Sequence, residues 1–150
     1  MALFKLIHLY AVVTWVGGMF FAYMVLRLSA AEVLQPPDRL RLWDSVFERF
    51  FNWVWLALFL LLSSGLYMIY QLGGMQHAPR YVMWMLALGV AMLLIYTYVF
   101  FSCYVRFSLL VEAKDWPQAG GVLATMRKLI ALNLSIGLVT VAVAILGRDF

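Results

Sequence analysis

Of the 150 residues, 66% are hydrophobic and 12% are charged, where soluble domains run at roughly 45–50% and about 25%. Such a chain has too little polar surface to cover its apolar mass, which excludes a water-soluble globule. The net charge of +4 lies mostly between apolar stretches, where it reads as a signal for membrane orientation and not for nucleic acid.

Four stretches contain no Asp, Glu, Lys or Arg: residues 6–26, 50–74, 81–105 and 129–147. A helix crosses a hydrocarbon core of about 30 Å with roughly 20 apolar residues. Backbone groups in lipid must be satisfied internally, so runs of this length predict helices. A membrane β-strand would be about half as long and would alternate apolar and polar residues. The expectation is an all-α integral membrane four-helix bundle in a single domain, with spans at about 4–28, 47–72, 80–105 and 127–147.

The first stretch follows Met1-Ala2-Leu3-Phe4-Lys5 and has no small-residue cleavage site near its end, so it predicts a retained helix and not a cleaved leader. His8 lies one to two turns into it. An ionisable group at that depth is a functional candidate, and neutral imidazole ligates both copper and haem iron. An interfacial histidine bonded to a neighbouring helix is the equal alternative. Ala11, Val12, Trp15 and Met19 follow at helical spacing, which makes Trp15 and Met19 candidates to line a cofactor below His8.

Between the first and second stretches, Pro36-Pro37 reads as the end of one unit and Asp38 as the cap of the next helix. Gly73-Gly74 ends the second span and Pro79 opens the third. Asp115-Trp116-Pro117 starts the helix that becomes the fourth. The connections before the second and fourth spans hold eight Lys and Arg residues, against three elsewhere. The positive-inside rule then places those two connections in the cytoplasm and both termini on the periplasmic side.

The seven acidic residues lie between spans or in the tail, so a proton relay on intramembrane carboxylates is not expected. There is no hydrolase triad, phosphate loop or CxxC pair, and the pattern reads as a non-enzyme. Cys103 is the only cysteine and reads as a small helix filler. His77 falls in the short connection after the second span, where a solvated loop histidine is the favoured alternative to a ligand. Counted inward at about 1.5 Å per residue, His8, Met68 and Met85 reach similar depths, so His8, His77, Met68 and Met85 form a candidate metal set for soft Cu(I). Methionine is also the flexible filler of apolar cores. Gly17-Gly18, Ser63-Ser64-Gly65 and Ser135 with Gly137 read as packing residues, and Asn133 as an interhelical hydrogen-bonding group.

Leu6-Ile7-His8 and Trp15-Val16-Gly17-Gly18-Met19-Phe20-Phe21 resemble the first helix of the copper resistance protein D (CopD) family. Arg49-Phe50-Phe51, Trp53, Trp55 and Ser64-Gly65 fit the same pattern, as does the run from Arg127 through Leu138. The resemblance implies a bacterial inner (cytoplasmic) membrane protein, multi-pass, that binds or passes copper. The first helix is also similar to the haem-binding protoporphyrinogen oxidase family HemJ. That likeness puts an axial haem b ligand on His8 and would make the protein a haem-dependent membrane oxidoreductase. Relatives often carry a second histidine in the third helix; this chain has Tyr96-Thr97-Tyr98 there, so a bis-histidine haem lacks its partner. Copper and haem b both stay open at this point. So does a role as accessory subunit to membrane or periplasmic protein partners within the lipid bilayer.

Overall fold

Two tight breaks and one longer loop divide the chain into four helices. In the computed structural model, which describes residues 1–148, they are α1 (Ala2–Val33), α2 (Pro36–Gln71), α3 (Arg80–Glu112) and α4 (Trp116–Leu146). Each is long and apolar enough to cross a membrane. With 31 to 36 residues apiece, they exceed the roughly 20 that a bilayer core requires. Their charged ends therefore have turns to spare beyond it.

The breaks show how the sequence sets the helix ends. Pro36 and Pro37 form the first turn of α2, with Gln35 as the residue before it and no side-chain cap. The pair thus opens α2, and Asp38 is not its cap. The physical reason is that proline has no N–H to be capped and a φ already suited to the first turn. Asp38 instead pairs with Arg41 at 3.4 Å. Asp115 does cap α4: its carboxylate accepts from the Gln118 amide at 3.3 Å and from the Gln118 side chain at 2.9 Å. Between α2 and α3, Gly73 and Gly74 have φ of +94° and +92°, the left-handed region that glycine enters without a Cβ clash. What reads as two basic loops is mostly helix, because the connections shrink to residues 34–35 and 113–115.

Side-chain register makes successive helices antiparallel. Phe4 stacks on Tyr67 at 3.9 Å and His8 meets Ser64, while Gly18 abuts the Phe50 ring. In α3 and α4, Tyr81 lies against Gly147 and Met92 against Gly137. The molecule is therefore two hairpins, α1–α2 and α3–α4. They meet along the half nearer the two short connections, where Phe47, Phe51 and Trp55 pack against Tyr96, Phe100 and Tyr104. Toward the termini, residues 2–12 of α1 pack on α2, and the start of α3 packs on α4.

The aromatic layer sits where the hairpins join. Tyr96 donates its hydroxyl to the Phe51 carbonyl at 3.3 Å and meets the edge of Trp15 at 6.1 Å. Edge-to-face pairs of this kind stabilise beyond area burial by about 0.5–1.5 kcal/mol each. In α1, wider π-type turns at Val13–Gly17 and Ala22–Leu26 suit residues four apart, and Ala11, Trp15 and Met19 all face the core. Outward, Phe59, Trp84, Leu94 and Ile145 are each well over half exposed, an apolar girdle that suits lipid contact.

Candidate metal site

His8 is held by its neighbour helix. Its Nδ1 lies 2.9 Å from the Ser64 hydroxyl, and Ser64 is 1% exposed. Ser64 in turn donates its single proton to the Leu60 carbonyl one turn back. A hydroxyl has one proton to give, so it accepts from His8. In the neutral ring Nδ1 then carries the hydrogen and Nε2 keeps its lone pair. The ring packs over Gly65, where a Cβ would stand in van der Waals contact, 3.4 Å from His8 Cε1.

His77 is organised separately. It is exposed, and its Nδ1 lies 3.0 Å from the Gly73 carbonyl. That carbonyl can only accept, so Nδ1 again donates and Nε2 is free. Met68 sits one turn beyond Ser64 on α2 and is half-buried, next to the helix position that holds His8. Met85 is half-buried on the part of α3 that packs with α4, on the hairpin opposite His8. Among the described residues, no group of three or more His, Cys, Asp or Glu side chains is placed to hold a metal ion. A soft ion would have to draw on thioether sulfur together with imidazole.

Trp15 and Met19 belong to the packed core, each 3% exposed. The void they border, shared with Phe51, Tyr96 and Asn133, is about 20 Å³. Ligand cavities run to roughly 300–1,000 Å³, so this void by itself is too small for a porphyrin. Asn133 also departs from expectation: it is 3% exposed, and its Oδ1 finds no partner among the helices. The Tyr96 hydroxyl that borders the same void donates to the Phe51 carbonyl instead. Cys103 is buried as a core filler.

Sequence reasoning misses Ser64 as the residue that orients His8, since Ser63-Ser64-Gly65 reads only as a close-packing motif. A signal exists in hindsight, because an antiparallel hairpin with a two-residue turn at 34–35 aligns position 8 with the low sixties.

A family model for copper resistance protein D matches residues 44–146, more than half of the chain. The chain belongs to the CopD family. The match begins at Asp44 in α2 and runs to the end of α4, so α1 and His8 lie outside it. Neither the curated proteins nor the solved structures yield a match. This CopD-family chain is thus a copper-resistance-related membrane protein.

Proposed function

We propose that the protein handles copper, binding Cu(I) at the membrane face that carries both termini, with His8 Nε2 as the first ligand. The observation that supports this is the His8–Ser64 bond, which fixes the ring and leaves Nε2 as the free donor. Metal-ligating histidines almost always give their other N–H to a fixed acceptor. Met68 supplies a soft thioether on the neighbouring helix, and His77 has a second free Nε2 in the connecting loop. Soft ligands of this kind favour Cu(I).

The same reading places the protein in the bacterial inner membrane with both termini periplasmic, from the eight-against-three distribution of Lys and Arg. Copper is the cargo, and the role is acquisition at the periplasmic surface and not an enzymatic step.

The test is a Cu(I) competition titration of the purified protein against a chromogenic chelator, with an optical spectrum of the same sample. One tightly held Cu(I), lost in His8→Ala and weakened about 10–100-fold in Ser64→Ala, is the expected result. Cu(I) affinity unchanged in His8→Ala sinks the assignment, as does a Soret band that His8→Ala removes.

A further inference from the structure

At the end opposite the termini, α1, the start of α2 and α4 enclose a cavity of about 290 Å³. Three guanidinium-bearing residues line it: Arg27, Arg39 and Arg127. Its walls are apolar, with Leu40, Trp43 and Leu123 among them, and no Asp or Glu contributes to the lining. Arg27 is held in place, because its Nε donates to the Tyr23 carbonyl at 3.0 Å and its guanidinium lies 4.4 Å from the Tyr23 ring centre. Among the described residues the one ion pair is Arg41 with Asp38. All three arginines of the cavity therefore lack a carboxylate partner among the described residues.

Three like charges around one apolar hollow repel one another, and the arrangement becomes favourable when an anion sits between them. A cation such as the copper cargo is disfavoured there. Guanidinium forks match phosphate oxygens, with two parallel N–H donors per group. The apolar walls ask for a hydrocarbon portion on the same ligand. Depth agrees: the charge-free stretches 6–26 and 129–147 both end beside the cavity, which puts the arginines where headgroups lie.

We propose that this cavity is a binding site for an anionic phospholipid, its phosphate held by Arg27, Arg39 and Arg127 and its acyl chain laid along the apolar wall. The bound lipid bridges the two hairpins, since Arg27 and Arg39 come from the first and Arg127 from the second.

Native mass spectrometry of the full chain tests this, by titration with phosphatidylglycerol, phosphatidylcholine or inorganic phosphate in a neutral detergent. Phosphatidylglycerol is expected to bind the wild type in preference to phosphatidylcholine. The R27Q/R39Q/R127Q variant should lose at least about tenfold in affinity. Ala124→Phe fills the cavity with every charge intact, and should weaken binding comparably even if the triple variant folds poorly. Arg80→Gln, at the other end of the bundle, should bind as the wild type does. Equal phosphatidylglycerol binding by wild type and both cavity variants overturns the proposal. So does an equal loss in Arg80→Gln, or inorganic phosphate binding as tightly as the lipid.

Discussion

His8 Nδ1 and the Ser64 hydroxyl stand 2.9 Å apart across the α1–α2 interface, and this bond is what separates two otherwise similar serines. Ser63 is exposed and donates to the Phe59 carbonyl on its own helix at 2.7 Å. Interhelical hydrogen bonds in membranes contribute about 0.6 kcal/mol on average and up to roughly 1.7. Ser64→Ala should lower stability within that range in a denaturing-detergent titration, and Ser63→Ala should leave it unchanged. Equal effects from the two would mean that the His8 contact contributes nothing.

Gly17 and Gly18 are adjacent, yet they should respond in opposite directions to alanine. A Cβ on Gly17 meets nothing within 4 Å, whereas one on Gly18 runs into the Phe50 ring. Gly→Ala in a helix interior gains up to about 1 kcal/mol from propensity. At Gly18, overpacking costs roughly 1–3 kcal/mol and prevails. The same detergent titration should show Gly17→Ala neutral or stabilised and Gly18→Ala destabilised.

Asp115 and Asp38 both look like helix caps in sequence, and only the first behaves as one. Loss of a capping side chain costs about 0.5–2 kcal/mol, so Asp115→Ala should fall in that range. Asp38→Ala removes an exposed ion pair of 3.4 Å, and exposed pairs contribute about 0–1 kcal/mol. Thermal unfolding of the two variants side by side should rank Asp115→Ala as the more damaging. The reverse order would contradict the assigned start of α2.

Asn133 should tolerate an apolar replacement. Its Oδ1 is buried with no protein partner, and such a group costs about 1–3 kcal/mol. Leucine shares the branching and length of asparagine, and the adjoining void of about 20 Å³ gives its slightly larger volume some room. Asn133→Leu is expected to leave stability unchanged or to raise it by about 1 kcal/mol. A clear loss, read from the midpoint of detergent unfolding, would show that the amide makes a bond that this packing does not account for.

The amino-acid sequence by itself determined four helices, because uninterrupted apolar runs in lipid have no other means of satisfying their backbone. It also determined the α4 cap at Asp115 and the glycine turn at Gly73-Gly74, since both depend on contacts within a few residues. It singled out His8 through the cost of an ionisable group in an apolar run. Only the tertiary structure decided which residues face one another: that Ser64 meets His8, that Trp15 and Met19 are buried in the core, and that Met85 lies on the opposite hairpin. The same holds for the cavity that collects Arg27, Arg39 and Arg127 from three helices. Hydropathy is a property of each helix alone, whereas these relationships depend on the rotation and register of one helix against another. Those are set by small residues such as Gly18 and Gly137 and by the aromatic layer around Tyr96.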